Sequence, residues 1–563
     1  MIDSELFRRV INVENYSVEE LVVYLFLTYI RLEKDILVNN ILEYIDKNIS
    51  SEIKEFIYIN FNKNRYEVID REIINNFDKE SILNTIIYID RYIQPKVSCQ
   101  VTMNERNPES VTTLALKTVD VSKVNSAIEF YSGIGSNIIR MADKGIKKIT
   151  AIEPYKNMYV ILMIRTDLYK LKNKGYEIEL INNFEFEFSK ENPNAKYDLV
   201  TMQQPWRDER IREQIAYLKP DFLKDMTNVR DTNWYYIYLA MQHLSNDGKA
   251  IMLVTESIEN GYLDKEIRRK TIENGYIEKI IELPSRLLNC TSLSSLLMVL
   301  SFKNDNIEFI DATDSYSQNG RVKYLSDDDI NKILNKNNPY RYIIDNCEVV
   351  NNDRLVPSYY GISDIENSIE LSEIANIIRG QNYRRSDLDS IITQNKTSYE
   401  LIRTSHLEDG FVNDFEYLLE LPGRYEELVD EDILITRVGS NRSVAIYKKG
   451  NEGKAIVEQS LLVIRVDKEK VNPYYILAYM MSDLGKEQLS AAYSGTGISQ
   501  ISLNNLKKVK VPIIDKEKEE IIVKSIKTKL KEINNRKKEL SSLIKEMDKD
   551  IDEWFLKGKI NEK

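Results

Sequence analysis

Short apolar runs alternate with amphipathic stretches between residues 125 and 305, and this alternation constrains the fold more than any other feature of the chain. Strands that alternate with helices predict a mostly parallel, doubly wound α/β sheet. In that architecture ligands bind beyond the carboxyl ends of the strands, so the residues that follow each run are the first candidates for a site. The runs are 127–131, 148–152, 199–202, 250–254, 277–283 and 296–302.

The remaining sequence divides into regions that differ in composition and hydrophobic pattern. A chain of 563 residues is too long for one hydrophobic core, so we expect several domains. Residues 1–95 have apolar residues at helical spacing and almost no Gly or Pro, which predicts a helical N-terminal domain before the sheet domain at 96–340. Irregular β-like segments over 350–514 predict a separate α+β domain. At 515–563 dense charge surrounds one apolar stripe, which predicts a long, coiled-coil-like helix.

Composition excludes some classes of protein and leaves others open. The cysteines Cys99, Cys290 and Cys347 lack CxxC spacing and only two histidines occur, so we expect no Cys/His metal site. We also expect a cytoplasmic protein, since no signal peptide or membrane-spanning run of about 18 apolar residues is found. The net charge of −11 weighs against DNA binding, but 78 Lys and Arg residues suffice for a local basic surface.

The first apolar run ends in a glycine-rich turn. Gly133 and Gly135 follow this run, and glycines are needed where a backbone bends tightly and approaches a ligand closely. The next run ends at Glu153, where an acid is placed to accept hydrogen bonds from the two hydroxyls of a ribose. On these residues alone, an ordinary strand-to-helix turn followed by a surface glutamate is an equally good interpretation.

A third motif lies about fifty residues after Glu153. The segment 197–206 reads Y-D-L-V-T-M-Q-Q-P-W, where amino methyltransferases carry F-D-x-V-x-x-N-P-P-F/Y/W. This segment is followed by other short segments in the order that the family has them. Together they make residues 100–335 resemble the modification subunit of type I restriction-modification systems, a family of adenine-N6 DNA methyltransferases. The further segments include W-Y-Y-I at 234–237, L-S-N-D-G-K-A at 244–250 and I-I-E-L-P at 280–284.

This resemblance implies a Rossmann-like class I methyltransferase domain with S-adenosylmethionine as cofactor. By the resemblance, Gly133 and Gly135 would line the methionine part of the cofactor, and Tyr131 would belong to the same pocket. Glu153 would hold the ribose, and Asn183, after the third strand, would lie near the adenine.

The catalytic tetrapeptide departs from the family pattern, since it reads Gln203, Gln204, Pro205 and Trp206. In the family, the Asn side chain and the following Pro carbonyl accept hydrogen bonds from the amine of a flipped adenine, on which the aromatic residue stacks. Gln203 keeps an amide oxygen but extends it by one methylene, and a misplacement of about 1 Å can cost on the order of a hundredfold in rate. Replacing the first Pro by Gln also releases φ at that position.

Three interpretations of the altered tetrapeptide therefore stay open. The protein is an active adenine methyltransferase, or a catalytically silent pseudo-methyltransferase kept for DNA recognition or scaffolding, or an enzyme for another substrate such as RNA or a protein amide. In favour of activity, the glycine turn, Glu153 and Trp206 are all retained. Against it, the replaced residues are those that perform the chemistry.

A second resemblance covers residues 350–560. The pieces L-S-E-I-A-N-I-I-R-G at 371–380, E-D-I-L-I-T-R at 431–437 and S-G-T-G-I-S-Q-I-S at 494–502 make this part similar to one target-recognition half of a type I specificity subunit. Guanidinium and amide groups can both read bases and bind phosphates. Two clusters carry such groups: Arg379, Gln381, Asn382, Arg384 and Arg385, and then Arg437, Ser440, Asn441 and Arg442. Either of the two clusters would by itself favour a solvated polar loop, but inside a recognition domain the pair favours contacts with DNA.

The resemblance to a single recognition half also predicts partners. We expect the terminal helix to pack against the equivalent helix of a second copy, or of a partner in a hetero-oligomer, which gives a two-part target on double-stranded DNA. Because the sequence has no nuclease signature and no helicase P-loop, we expect any restriction or defence activity to reside in a separate subunit.

Overall fold

In the computed structural model the protein divides into two compact units, Met1–Gly361 and Ile362–Lys563. The residues that the structure describes are 16–91, 109–202, 204–205, 218, 229–259, 262–288, 295–320, 322–361, 365–380, 383, 385–423, 425–438, 442–450, 453–494 and 500–556.

The first unit begins with a group of helices, as the sequence predicts. The Ser17 side chain accepts a hydrogen bond from the Glu20 backbone, and the Glu20 side chain accepts one from the Ser17 backbone, so that α1 starts with a capping box. All residues from 21 to 30 are buried, which makes α1 the central helix of the group. The helices are α1 (Val18–Lys34), α2 (Ile41–Asn48), α3 (Ser51–Asn60), α4 (Lys63–Asn76) and α5 (Lys79–Ile87).

A nine-stranded sheet forms the rest of this unit, in the order β11-β8-β6-β7-β5-β4-β1-β2-β3. Strands β1 to β5 are mutually parallel, whereas β7 runs antiparallel to both of its neighbours. The strands and helices alternate as expected, and two short strands form a hairpin. The elements are α6 (Glu109–Lys117), β1 (Ser126–Phe130), α7 (Ser136–Asp143), β2 (Lys148–Ile152), α8 (Lys156–Lys172), β3 (Glu177–Ile181), α9 (Glu185–Glu191), β4 (Tyr197–Met202), α10 (Thr232–His243), β5 (Leu244–Thr255), α11 (Lys265–Glu273), β6 (Ile277–Glu282), β7 (Ser295–Leu300), β8 (Asn306–Asp311), β9 (Ser317–Asn319), β10 (Val322–Tyr324), α12 (Asp327–Leu334), β11 (Arg341–Asp345) and α13 (Asn346–Asn352).

The order of the strands reverses at β1, which lies between β2 and β4. Phe130 at the end of β1 pairs with Ile152 at the end of β2 and with Met202 at the end of β4. The segments that follow these three strands therefore start side by side, at the kind of topological switch point where doubly wound sheets bind ligands.

Both faces of the sheet are buried, each in its own hydrophobic cluster. Ala127 belongs to the cluster that also contains the apolar side chains of α1 to α5, so the N-terminal helices and one face of the sheet share a continuous core. Ile128 and Phe130 point to the other face, where they pack with Trp234 and its neighbours in α10. This alternation is the period-two pattern of a strand buried on both sides.

The second unit is α+β, as predicted. A six-stranded sheet has the order β13-β22-β19-β20-β17-β16 and a four-stranded sheet the order β14-β18-β15-β21, while β12 pairs with β25 and β23 with β24. The elements are β12 (Ser368–Glu370), α14 (Leu371–Ile374), β13 (Ala375–Arg379), α15 (Arg385–Ile391), β14 (Ile392–Thr393), β15 (Tyr399–Ile402), β16 (Leu407–Glu408), β17 (Gly410–Val412), β18 (Glu416–Leu418), β19 (Ile433–Thr436), β20 (Val444–Ile446), β21 (Lys454–Val457), β22 (Leu461–Val466), α16 (Pro473–Met481), α17 (Asp483–Ala492), β23 (Tyr493–Ser494), β24 (Gln500–Ile501), α18 (Leu503–Lys507), β25 (Lys510–Pro512) and α19 (Lys516–Leu556).

The predicted terminal helix is the 41-residue α19, and its apolar stripe divides into two parts. Ile522, Ile526 and Leu530 pack against the core of the second unit itself, and Leu530 is only 7% exposed. Further along the stripe Leu540 is 58% exposed. The stripe is therefore not available to a partner over its whole length, because its first part stabilises the unit. Among the helices of the described ranges, none is both long and apolar enough to span a bilayer.

Candidate functional site

The glycine-rich turn after β1 has a left-handed backbone at three residues, with φ of 56° at Tyr131, 54° at Gly133 and 85° at Gly135. Such angles are strained for residues with a Cβ atom and unstrained for glycine. A Cβ at Gly135 would also lie 2.5 Å from the Cδ1 atom of Leu162 in α8. The glycines therefore allow both the sharp entry into α7 and the close approach of α8, while the side chain of Tyr131 is buried.

Glu153, directly after β2, is 1% exposed and holds this turn. Its Oε2 atom accepts a hydrogen bond from the backbone N–H of Gly133 at 2.7 Å, and Oε1 accepts one from the N–H of Tyr155 at 2.8 Å. Sequence reasoning assigned Glu153 to a ribose and missed this structural role. The two roles are compatible, because an ionised carboxylate has about four acceptor positions.

The loop after β3 lies beside Glu153. Asn182, which sequence reasoning missed, donates from Nδ2 to the carbonyl of Glu153 at 2.7 Å. The predicted Asn183 is half-buried, and its Oδ1 atom accepts a hydrogen bond from the N–H of Phe184 at 2.9 Å. The rings of Tyr155 and Phe184 meet edge to face with centroids 6.5 Å apart. The ends of β2 and β3 thus carry a carboxylate, two amides and two aromatic rings.

The described part of the tetrapeptide after β4 is Gln204 and Pro205, whereas Gln203 and Trp206 lie outside the described residues. Gln204 is 3% exposed, and its Nε2 atom donates to the carbonyl of Leu253 in β5 at 2.7 Å. A second, longer contact of 3.4 Å joins Nε2 to Oδ1 of Asn233 in α10. Sequence reasoning noted that glutamine releases φ at this position and missed this contact, by which the Gln204 side chain ties the segment to the neighbouring strand in a way that proline cannot.

The tie of Gln204 continues into a network of polar side chains at the start of α10. Asn233 donates from Nδ2 to Oδ1 of Asp231 at 2.8 Å, and the Ser257 hydroxyl donates to Oδ2 of Asp231 at 2.6 Å. The hydroxyls of Ser257 and Thr255, the last residue of β5, are 2.6 Å apart. Asn233 and Thr255 are buried and the other two residues are half-buried, and connected networks of this kind favour one local geometry. The network therefore sets the position of the segment in which the catalytic residues are expected.

In the second unit, two of the predicted arginines flank the start of β22. Arg379 is exposed at the end of β13, where it pairs with Leu462, and the backbone N–H of Arg437 donates to the carbonyl of Ser460 at 2.8 Å. Burial and the nearby charge of Arg379 lower the pKa of the Arg437 guanidinium. The two positive charges repel each other and create a positive potential, which would attract an anionic phosphate.

Arg442 brings the second predicted cluster to the same place. Its guanidinium lies 4.6 Å above the ring of Tyr493, whose hydroxyl donates to the carbonyl of Thr436 at the end of β19. Arg437 donates from Nη2 to Oε1 of Gln500 at 3.1 Å. Sequence reasoning missed Tyr493 and Gln500, although Gln500 lies in the 494–502 run that carried the second resemblance.

The other predicted DNA-binding residues lie wholly or partly outside the described residues. Arg385 begins α15, but its side chain lies outside the described residues. The remaining predicted residues that lie outside the described ranges are Gln381, Asn382, Arg384, Ser440 and Asn441.

Comparison with protein families agrees with both resemblances. Residues 108–377 match the model of N-6 DNA methylases, and residues 363–542 match the model of the type I restriction modification DNA specificity domain. The chain thus joins an N-6 DNA methylase domain to a type I specificity domain. Both families predicted from the sequence are confirmed.

Individual relatives are distant. A protein of Methanocaldococcus jannaschii, described as a type I restriction enzyme MjaX specificity subunit, is 26% identical over 176 residues, which are 29% of this chain and 40% of that relative. This chain thus spans less than half the length of that relative.

Solved structures match much more of the chain at low identity. The type IIL restriction-modification enzyme MmeI, solved in complex with DNA, is similar with a TM-score of 0.53 and 10% identity, over 95% of this chain and 92% of that one. This likeness supports the fold of the methylase and specificity units. The type I methyltransferase subunit of Streptococcus thermophilus gives a TM-score of 0.47 and 14% identity, over 58% of this chain and 77% of that one.

Proposed function

We propose that the protein transfers a methyl group from S-adenosylmethionine to N6 of an adenine in double-stranded DNA, at a site recognised by its own specificity unit. One observation carries the proposal. The glycine turn, Glu153 and the tetrapeptide segment follow three neighbouring strands at the switch point of the sheet, within a chain that also has a DNA specificity domain. Restriction or defence functions would then belong to a separate subunit.

The residues at the switch point fit this cofactor in kind. Gly133 and Gly135 have the left-handed backbone angles of a tight turn, which bring the main chain toward a ligand at the switch point, and Tyr131 is buried beside them in sequence. Glu153 would accept hydrogen bonds from ribose hydroxyls while it holds the turn, and Asn183 would lie at the adenine. When bound, the cofactor supplies a methyl group on a sulfonium centre, which is open to attack by an amine nitrogen.

The tetrapeptide would hold the adenine amine. The amide oxygen of Gln203 and the backbone carbonyl of Gln204 would accept hydrogen bonds from the two N–H groups, and Trp206 would stack on the flipped base. The tie from Gln204 to Leu253 would limit movement of that carbonyl, and Pro205 fixes the backbone that leads to Trp206. In this proposal the side-chain tie of Gln204 replaces the rigidity that proline gives the family tetrapeptide.

Substrate choice tests the proposal directly. Purified protein is incubated with tritiated S-adenosylmethionine and, in parallel, with random-sequence duplex DNA, random-sequence RNA and a soluble protein extract. We expect label to be incorporated only into duplex DNA. Incorporation into RNA or protein instead would replace the proposed substrate. Absence of incorporation by a protein that binds both cofactor and DNA would favour the catalytically silent alternative.

The cluster of Arg379, Arg437 and Arg442 would contact DNA. We expect Arg437→Ala to cost about 1–3 kcal/mol of DNA-binding free energy and to reduce the salt dependence of binding by about one counterion. Titration of a labelled duplex at several salt concentrations measures both quantities. Lys449→Ala is the matched control, since Lys449 is exposed and paired with Glu427 at 3.1 Å. An equal loss in both variants would contradict a specific role for the cluster.

The exposed part of α19 would join two copies of the chain. Ile533, Leu540, Ile544, Met547 and Ile551 are 39–58% exposed, and their spacing of seven, four, three and four residues is typical of a two-stranded coiled coil. Because each copy has one specificity domain, such a dimer would read two half-sites. A hetero-oligomer with a partner helix is the alternative occupant.

Charge in this stripe is expected to break the dimer. For Leu540→Asp, light scattering should give the mass of one 65.9 kDa chain, whereas the unmodified protein should give twice that value. A buried unpaired charge costs several kcal/mol, enough to dissociate a coiled coil of this length. Ser542→Asp, on the opposite side of the helix, is the control and should remain dimeric. A monomeric unmodified protein would favour the hetero-oligomer instead.

A further inference from the structure

A buried triad of charged side chains joins the N-terminal helices to the glycine turn. Asp90 follows α5, Arg140 lies in α7 and Arg165 in α8, and their side chains are 9%, 10% and 0% exposed. The two carboxylate oxygens of Asp90 divide between the arginines, since Oδ1 accepts from Arg165 and Oδ2 from Arg140. In the sequence, Arg140 lies 50 positions and Arg165 lies 75 positions after Asp90.

Arg165 contacts the turn itself. Its Nη1 atom donates to the carbonyl of Ile134 at 2.6 Å, and Ile134 is the residue between Gly133 and Gly135. Its Nε and Nη2 atoms donate to the carbonyl of Ile87 at 2.9 and 2.6 Å, at the end of α5. One guanidinium therefore binds the last turn of the N-terminal helices on one side and the turn after β1 on the other. The planar, fixed fork of arginine suits this arrangement, and a lysine could not reproduce it.

The turn is thereby held from two directions. Glu153, directly after β2, accepts the hydrogen bond of the Gly133 N–H, and Arg165 in α8 donates one to the carbonyl of Ile134. Within the turn, Gly135 N–H donates to the carbonyl of Ser132 at 2.9 Å. Glycines allow many backbone angles, so these three contacts select one conformation of an otherwise permissive segment.

Asp90 stabilises the buried guanidinium of Arg165 through an ion pair. Without Asp90, Arg165 would lose its carboxylate partner and Arg140 would keep the more distant Glu109 at 3.9 Å. Breaking a buried ion pair by removing one partner costs about 3–5 kcal/mol. Burial alone would raise the pKa of the Asp90 carboxyl, but the charges of Arg165 and Arg140 outweigh it and hold that pKa at about 2. The ion pairs with the two arginines therefore favour the ionised form of this carboxyl.

We infer that Asp90 and Arg165 are positioning residues of the cofactor pocket, through which the N-terminal helices hold the glycine turn in its binding conformation. The identity of the ligand in this inference rests on the proposed function. The claim that Asp90 and Arg165 hold the conformation of the turn does not depend on it. It gives the N-terminal helices a role that their sequence pattern does not indicate.

The test compares Asp90→Asn with Asp70→Asn. Asp70 is a matched control, since it lies in the same group of helices, is buried, and accepts hydrogen bonds from Arg31 at 2.8 Å and from the Thr28 hydroxyl at 2.8 Å. Arg165→Lys is the second variant in case Asp90→Asn fails to fold, because it keeps a buried charge beside Asp90 and loses the fork. Each full-length protein is examined by thermal unfolding, calorimetry with S-adenosylmethionine, and amide hydrogen exchange of the segment 130–141 without ligand.

We expect faster exchange across 130–141 in Asp90→Asn and Arg165→Lys, and cofactor binding weakened about ten- to a hundredfold, as for supporting partners of other binding sites. Asp70→Asn should lower the unfolding temperature while both other measurements stay unchanged. Unchanged exchange and affinity in a folded Asp90→Asn or Arg165→Lys protein would overturn the inference, as would equal effects in Asp70→Asn. Faster exchange in a protein that never binds the cofactor would uphold the positioning role and contradict the proposed function.

Discussion

Glu153→Gln is expected to weaken S-adenosylmethionine binding by about one to two orders of magnitude. The carboxylate accepts hydrogen bonds from Gly133 N–H and Tyr155 N–H, and a glutamine must turn its NH₂ group toward one of these donors. A ribose hydroxyl would in addition lose its charged acceptor. A hydrogen bond to a charged group is worth about 1.5–3 kcal/mol, which corresponds to that range of affinity. Calorimetric titration of the purified protein measures the effect.

Glu177→Gln is the matched control for this substitution. Glu177 is an exposed acid at the amino end of β3, whereas the residues of the switch point follow the carboxyl ends of the strands. We expect its affinity for the cofactor to equal that of the unmodified protein. Equal affinity of Glu153→Gln and the unmodified protein would contradict the assignment of the pocket.

Gln203→Ala is expected to lower the rate of methyl transfer on the order of a hundredfold, with cofactor and DNA affinities changed only a few-fold. The substitution removes an acceptor that would act on the amine during transfer, and groups of this kind are worth on the order of a hundred- to a thousandfold in rate. Single-turnover methylation with saturating cofactor and DNA separates this effect from binding. An unchanged rate would show that Gln203 does not hold the amine.

Restoring the family tetrapeptide distinguishes an active enzyme from a silent one. Because Gln204 is tied to Leu253, we expect Gln204→Pro alone to reduce the rate, since the tie is lost. Gln203→Asn combined with Gln204→Pro recreates the family pattern at both positions. A large gain of this double variant over a nearly inactive parent would favour a silenced relative of the methyltransferases.

The sequence predicts those parts of the fold that depend on local pattern. The alternation of strands and helices, the glycine turn and the long terminal helix each leave a periodic or compositional signal within one segment. Their residues are therefore recognisable without knowledge of the tertiary structure. The family resemblance adds the roles of Gly133, Gly135 and Glu153, which the residues alone leave open.

Contacts between distant segments are what the sequence does not predict. Gln204 reaches Leu253 across 49 positions, and Arg165 reaches Asp90 across 75. The division of α19 is of the same kind, because the apolar pattern is continuous through Leu530 and Leu540 although only the first is buried. A pattern shows that a side chain will be buried against something, and only the tertiary structure shows against what.

The central claim is tested most directly by the DNA of cells that produce this protein. Genomic DNA from a host lacking adenine methylation is sequenced by a method that detects N6-methyladenine at each position, with Gln203→Ala as the control. The proposed function predicts N6-methyladenine at every copy of one defined recognition sequence in cells with the unmodified protein, and its loss in the control. Unmethylated DNA in cells that contain folded protein, able to bind both cofactor and DNA, would contradict it.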